Sequence, residues 1–359
     1  MKFTELKTAE YRKFEQNHPY SNLYQEANRI ELRKRMGWDI RALGLKDKNN
    51  KIVAAGLLLN KKGDAFIPMG PILDWTDTEI LKEFLSKLKS WAKAQKIYAL
   101  EILPPVHIAF YDKAGKVQKT FDQSKIISVF EASGFNYQKD DRGINLRSNT
   151  WVATKDTSSF KSEDELLKSY TRRAYRYCPE AVYSKKVTIK EVESKADIEK
   201  VAIAIEDSND KNGLKSRPLD YYLWIKEIWK DKVHFYLATH AETQDIVAGH
   251  IFFDTPNEEV GFLAGTIQKY RNLNAMTVME HIMFKRAMDL KNNRGNMYGL
   301  EGAFTPNNHL LAFKGIFNPV IEQYIGGFSI ILNKPKYLAV KTFQKSKGAL
   351  GRIKRMIKH

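Results

Sequence analysis

The feature that most constrains the fold is an order of elements that occurs twice along the chain. Residues 20–36 carry apolar and polar residues at helical spacing and lead into strand-like segments at 40–45 and 52–60. A further apolar run ends in Pro68-Met69-Gly70-Pro71, and a helical stretch at 77–95 and a strand at 98–103 follow. In the second half, helical segments at 163–177, 195–212 and 219–229 precede alternating strands at 233–240, 245–253 and 260–266, then a helix at 274–292. Helix, hairpin strands, helix and strand, twice over, predict an α/β chain of two domains of one kind with mixed, twisted sheets. With 359 residues there is enough chain for two cores. The boundary is expected in the polar run Arg147-Ser148-Asn149-Thr150, giving domains at 1–149 and 150–329, with 330–359 packing back on the first. Residues 113–124 are polar and read as a surface loop.

Charge narrows the partners. A formal net charge of +17 predicts attraction to a polyanion: nucleic acid, an anionic membrane face or a phosphorylated substrate. The basic residues gather at 29–35, at 168–186 and in the tail 341–359. In that tail Leu350, Ile353, Met356 and Ile357 recur at helical spacing among lysines and arginines. Two readings stand side by side, a basic amphipathic helix for anionic lipid headgroups and a solvated helix packed on its own protein. No run approaches the roughly 20 apolar residues that span a bilayer, and the first residues lack an apolar signal region, so a cytoplasmic chain is expected.

Several chemistries find no support. The sequence has no phosphate loop of the GxxxxGK[ST] type, no GxGxxG after a strand, no HExxH helix and no GxSxG elbow. The one cysteine, Cys178, matches no nucleophile setting and is expected to pack, and the histidines do not fall at metal-ligand spacing. The strand, bulge and helix order around 262–288 invites comparison with acyl-CoA N-acetyltransferases (the GNAT fold), whose loop carries glycines that let backbone amides approach a pyrophosphate. Here that stretch is Arg271-Asn272-Leu273-Asn274-Ala275-Met276, so the architecture is compatible and coenzyme A is disfavoured. No cofactor is expected.

A series of further segments carries a more specific resemblance. They are the Gln-bearing helix ending in a basic residue three before Trp38; Met-Gly-Pro-Ile-Leu-Asp at 69–74; and the basic stretch at 170–188. Asn-Gly-Leu-Lys-Ser-Arg-Pro-Leu-Asp-Tyr-Tyr at 212–222, Ala-Gly at 264–265 and Tyr-Gly-Leu-Glu-Gly at 298–302 follow, and the series ends with Ala-Phe-Lys-Gly-Ile-Phe-Asn-Pro through Tyr-Ile-Gly-Gly-Phe at 312–328. In this order and spacing they resemble the FemABX family of aminoacyl-tRNA-dependent peptidoglycan aminoacyltransferases, built from two tandem acetyltransferase-like domains. No stretch between 148 and 334 looks like the helical-hairpin arm of some members, so the short subtype is expected.

The resemblance implies roles. Lys314 is similar to the family lysine that stabilises the oxyanion when an amine attacks the aminoacyl ester, and the chemistry agrees: aminolysis of an activated ester needs positioning and a positive charge where negative charge develops. Phe313 either packs against the terminal adenosine of the tRNA or fills a core. Arg35 and Arg217 match positions that hold the precursor's diphosphate, which suits permanently charged, bidentate guanidiniums. Arg217-Pro218 is at the same time a helix-start signal. Tyr221 follows at family spacing and would line the same pocket. Glu301 and Glu322, near the lysine motif, are candidate bases.

The chain departs from the pattern at Gly261-Phe262-Leu263, where tyrosines are expected, and at Leu103, where an acidic residue often precedes the proline. The implied partners are aminoacyl-tRNA carrying Ala, Ser or Gly, a precursor that is lipid II or a UDP-linked muropeptide, and an anionic membrane surface met by the basic tail. The expected location is the inner face of the cell membrane. Two rival readings remain, an N-acyltransferase using another acyl donor and a non-catalytic tRNA- or membrane-binding protein.

Overall fold

A computed structural model describes residues 1–139, 147, 150–290, 293–300, 304 and 308–343. The hydrophobic alternation becomes two mixed sheets. The first runs, in order, Lys2–Glu5, Asp39–Lys46, Ile52–Lys61, Asp64–Ile67, Ala99–Ile102, Gly327–Ile331 and Asn136–Gln138, with Ile72–Leu73 paired on Ile52–Lys61. The second runs Val187–Val192, Val233–His240, Ile246–Asp254, Glu259–Thr266, Arg294–Asn296, Trp151–Asp156, Val320–Tyr324, His107–Tyr111 and Val117–Thr120. The sheets exchange strands across the boundaries at 149 and 329. Residues 107–120 hydrogen-bond into the second sheet, and Gly327–Ile331 returns to the first. Val117–Thr120, which the sequence presents as loop, is an edge strand; all four of its residues face solvent, so it carries no apolar alternation to announce it.

Each sheet contains one parallel pair closed by a helix, the unit behind the repeated order. Thr78–Ala94 connects Asp64–Ile67 to Ala99–Ile102, and Ala275–Asp289 connects Glu259–Thr266 to Arg294–Asn296. The first helix starts on Asp77, whose carboxylate accepts from the amides of Glu79 and Ile80, and buries Leu81, Phe84, Leu85 and Leu88 on the sheet. In the second half, Gly249 and Gly265 let helix Lys195–Lys211 lie flush on the strands. A Cβ at Gly265 would stand 2.3 Å from the Ala204 carbonyl, and one at Gly249 2.7 Å from that of Val201. The expected single helix at 163–177 is broken into Glu163–Lys168 and Arg172–Tyr177, the second preceded by Thr171, whose amide and hydroxyl both donate to the Ile316 carbonyl.

The two halves are packed together by helix Asn28–Arg35, the C-terminal part of the expected segment 20–36, lying against helix Leu219–Trp229. Leu23 and Leu32 of the first half share a core with Tyr221, Tyr222 and Trp229 of the second. The Trp229 indole donates to Glu26 at 2.5 Å, and burial pushes that carboxyl up to about 7. Residues 334–343 are helical, and Lys336 and Tyr337 rest on Lys96 and Tyr98 of the first half. The tail beyond residue 343, Glu301 and the 148–149 boundary lie outside the described residues. Among the described residues no helix is long and apolar enough to cross a membrane.

Candidate functional site

The site begins where the second parallel pair comes apart. Glu259 and Val260 pair with Gly295 and Asn296, and then a bulge at Phe262 turns the strand away, because Phe252 opposes Gly261 while Ile251 opposes Leu263. The other arm continues along Trp151–Asp156 through the Met297 and Leu300 amides. Between them Tyr298 adopts a left-handed backbone, φ 56°, which turns its carbonyl and that of Gly299 toward Lys314.

Lys314 ends the short helix His309–Lys314, started by Asn308, whose side chain accepts from the Leu311 amide at 3.0 Å. The next turn anchors it, since Ile316 and Phe317 are buried in the core and the Phe317 carbonyl accepts from the buried Lys155 ammonium at 2.9 Å. Lys314 is 7% exposed, and its Nζ donates to the carbonyls of Tyr298 and, at 2.8 Å, Gly299. An ammonium has three donors, so two carbonyls leave one N–H for an incoming oxygen. Burial pushes Lys314 down to about 8, with the Glu280 carboxylate pulling the other way. Phe313 is half-buried against Phe317, ring centroids 6.0 Å apart, and so contributes to packing beside the lysine.

A second group lies in the seam between the halves. Arg29 and Arg33 are one turn apart on one face of helix Asn28–Arg35. The Arg29 guanidinium is buried under the rings of Tyr24, Trp229 and Phe262, donates through Nε to the Leu23 carbonyl, and keeps an Nη2 without a hydrogen-bond partner among the described residues. Burial and then the charge of Arg29 push Arg33 down to about 10; Tyr221 and Tyr24 act against this, and Arg217 adds to it. Arg33 and Arg217 thus lie in one another's field, and the Arg217 guanidinium is 5.6 Å from the Tyr221 ring with its charge only loosely offset by Glu206 at 3.9 Å. Arg35 is not in this group. Two residues beyond Arg33 it is turned about 200° around the helix, where it grips Glu227 at 2.6 and 2.7 Å and Glu31 at 2.9 Å. The resemblance pointed to Arg35 on this helix, whereas the residues turned toward the seam are Arg29 and Arg33, whose i, i+4 register is visible in the sequence.

Tyr298 links the two groups. Its carbonyl holds Lys314, and its ring lies 5.5 Å from Tyr24, the neighbour of Arg29. Both tyrosines line an interdomain cleft of about 240 Å³ whose walls include Tyr20, Met69, His107, Glu258 and Arg294. A larger hollow of about 370 Å³, around Glu5, Lys34 and Arg41, contains none of these groups. Glu322 is a saturated carboxylate: it accepts from Thr154 at 2.6 Å and Arg294 at 2.7 Å and meets His107 at 2.9 Å. Burial would raise its pKa, but His107 and Arg294 outweigh burial and hold it down to about 2, which suits it poorly as a base.

Gly261 has a local reason, because a Cβ there would stand 3.0 Å from the buried His250 Nε2 and 3.1 Å from the Met283 sulfur. Cys178 is buried and burial pushes its thiol up to about 12, an inert setting. The stretch corresponding to the coenzyme A loop is a 3₁₀ turn, Gln268–Leu273, with Asn274 at φ 57° ahead of the helix.

Two sheets each built on a helix-closed parallel pair, the second opened beside a buried lysine, define a tandem GNAT-like fold. A tandem GNAT protein from the clavulanic acid biosynthesis pathway superposes with a TM-score of 0.56 at 9% identity, over 92% of this chain and 98% of that one. The crystal structure of FemX superposes with a TM-score of 0.78 at 17% identity, over 95% of this chain and all of that one. The FemAB family profile matches residues 6–241 and 239–345, and the chain belongs to that family. Aminoacyltransferases FemA of Staphylococcus aureus are 23% identical in strain MRSA252 and 25% in strain COL, across 97% of this chain and 99% of theirs. Those alignments run to 418 and 419 positions, longer than this chain, and among the described residues the second half has no helical-hairpin arm.

Proposed function

We propose that this chain is an aminoacyltransferase that moves an amino acid from aminoacyl-tRNA to the stem-peptide amine of a peptidoglycan precursor. The observation that carries the reading is Lys314, a buried ammonium fixed by two carbonyls with one N–H left over, at the opening of the second sheet. The acceptor amine attacks the ester carbonyl and a C–N bond forms. The ester C–O bond breaks, and the proton given up by the amine ends on the departing ribose oxygen. Lys314 stabilises the oxyanion between these events, and no covalent enzyme intermediate is needed.

The precursor's diphosphate fits Arg29, Arg33 and Arg217, which among the described residues are short of carboxylate partners in a partly desolvated seam. Lipid-linked and nucleotide-linked precursors share that diphosphate. Tyr221 lines the same pocket, and Arg35 supports it by joining the two helices. The donor is assigned to the face carrying Arg172, Arg173 and Arg176, which are exposed on the helix whose start is bonded to the turn after Lys314. Phe313 is assigned to meet the terminal adenosine. The basic tail, with the exposed Leu338 on the preceding helix, is assigned to an anionic membrane surface at the inner face of the cell membrane.

The test is to incubate the protein with lipid-linked muropeptide and separately with its UDP-linked counterpart, each with radiolabelled alanyl-, seryl- and glycyl-tRNA, and follow label into the precursor. Transfer that requires Lys314 supports the reading and identifies both substrates. Transfer from a coenzyme A thioester without tRNA replaces it with an N-acyltransferase, and tRNA binding without transfer from any donor replaces it with a binding protein.

A further inference from the structure

The turn Thr255-Pro256-Asn257-Glu258, between strands Ile246–Asp254 and Glu259–Thr266, puts a carboxylate where the two halves meet. The turn is fixed from within, since the Thr255 hydroxyl donates to the Glu258 carbonyl at 2.8 Å and accepts from the Glu258 amide at 3.1 Å. It is fixed to the first half by Asn257, whose side-chain amide donates to the Ser21 carbonyl at 3.0 Å and the Pro19 carbonyl at 3.3 Å. Glu258 thus lines the interdomain cleft from a backbone tied to both halves.

Its side chain is 15% exposed and is held through one oxygen. Oε2 accepts from Arg294 Nε and Asn296 Nδ2, both at 3.1 Å, whereas Oε1 has no hydrogen-bond partner among the described residues. Asn296 in turn accepts from the Tyr298 amide at 2.8 Å, and the Tyr298 carbonyl holds Lys314. The anchor of the carboxylate and the anchor of the ammonium are therefore the two ends of one residue. Arg294 is shared with Glu322, whose oxygens are taken up by Thr154, His107 and Arg294, so it is Glu258 that has an oxygen to offer. Tyr20, Tyr24, Tyr298 and Tyr324 line the same cleft. A carboxylate oxygen among tyrosine rings is a setting for an ammonium, which gains a charge-assisted hydrogen bond and the negative faces of the rings. Tyr24 also carries the Arg29 guanidinium, 5.5 Å from its ring, so seam and cleft adjoin there with opposite charges. A ligand spanning both has an anion at one end and an ammonium at the other.

We infer that Glu258 receives the amine of the acceptor: its free oxygen selects a precursor whose attacking nitrogen is a primary ammonium at the end of an unbranched side chain, and disfavours one with a carboxylate beside that nitrogen. This inference rests on the proposed transfer to a stem-peptide amine and adds the group that recognises that amine. Oε1 accepts a hydrogen bond from the nitrogen whether charged or neutral, so the amine stays oriented after it gives one proton to water and its lone pair becomes able to attack.

The experiment measures binding without tRNA, by calorimetry, of UDP-linked and lipid-linked muropeptides to wild type and Glu258→Gln, whose amide oxygen still accepts from Arg294 and Asn296. Three stems differ only at the third residue: lysine, norleucine, which lacks the ammonium, and diaminopimelate, which adds a carboxylate beside it. Wild type should bind the lysine stem about tenfold more tightly than either of the others, as expected for one charge-assisted hydrogen bond in a partly open cleft. Glu258→Gln should lose that preference while binding the norleucine stem as wild type does. Equal weakening of the lysine and norleucine stems in Glu258→Gln would make the carboxylate a structural partner of Arg294 and overturn the inference, as would a wild type that does not distinguish those two stems. The expected binding pattern without transfer from any aminoacyl-tRNA would fail the transfer reading alone. Transfer to a lysine stem with no preference lost in Glu258→Gln would fail this inference alone, and binding of no stem would fail both.

Discussion

The two halves contain the same unit in two states, one closed and one open. In the first half the parallel pair stays together: four residues of Asp64–Ile67 pair with Ala99–Ile102, and the Leu103 and Gly70 amides extend the ladder beyond them. In the second half only two residues pair before the bulge at Phe262 turns one arm away and the other follows Trp151–Asp156. The closed copy is filled with aliphatic and aromatic side chains and reads as scaffold. The open copy exposes backbone carbonyls that need a donor, and Lys314 supplies it. Opening a parallel pair thus leaves carbonyls that hold an ammonium at the cost of ladder hydrogen bonds, while the first half contributes helix Asn28–Arg35 with Arg29 and Arg33.

The sharpest way to break this comparison is to remove the donor that the open copy holds. Lys314→Ala should lower kcat by about 10²–10³-fold or more, the scale of losing one oxyanion donor, with folding checked by circular dichroism. Retention of full kcat would remove the lysine from the chemistry and leave the opening without a role. The next effect belongs to the seam. Arg33→Met and Arg217→Met should each raise the acceptor KM by roughly 10–100-fold, as expected for a charged hydrogen bond of about 1.5–3 kcal/mol, while kcat falls less. If the precursor were gripped elsewhere, acceptor titrations of these variants would overlay wild type.

The sequence made the scaffold easier to read than the site, and particular residues show why. Thr78–Ala94 and Leu219–Trp229 each bury one apolar face, and Val233–His240 is an apolar run buried on both, so the apolar pattern placed them within a residue or so. The strand exchange left little trace. Val117–Thr120 buries none of its residues, and Gly327–Ile331 joins the first sheet through partners more than 180 residues away. At the site, Lys314 stood out because a motif carried it. Arg35 and Arg33 are both basic residues of one helix, and the roughly 200° between them sends Arg35 to Glu227 on the facing helix.

Smaller effects sharpen the division of labour between the faces. Reversing the exposed arginines in Arg172→Glu/Arg173→Glu/Arg176→Glu should raise the KM for aminoacyl-tRNA about tenfold at low salt, leave the acceptor KM unchanged, and flatten the dependence of donor affinity on salt, because fewer phosphates are neutralised. An equal rise in both KM values would show a general loss of positive field rather than a docking face.

The smallest effect is expected at Arg35, which is the control for the whole assignment. Its guanidinium is held by Glu227 and Glu31 on an exposed part of the seam, where ion pairs contribute little. Arg35→Met should therefore change the acceptor KM by less than about twofold, with any effect arising as a small loss of rigidity between the two helices. A bidentate pair that opened to take the diphosphate would behave differently. Arg35→Met would then raise the acceptor KM as strongly as Arg33→Met, and Glu227→Gln, by freeing Arg35, would lower it. Measuring the three variants side by side against one precursor separates a helix-joining pair from a phosphate clamp held closed by its own carboxylate.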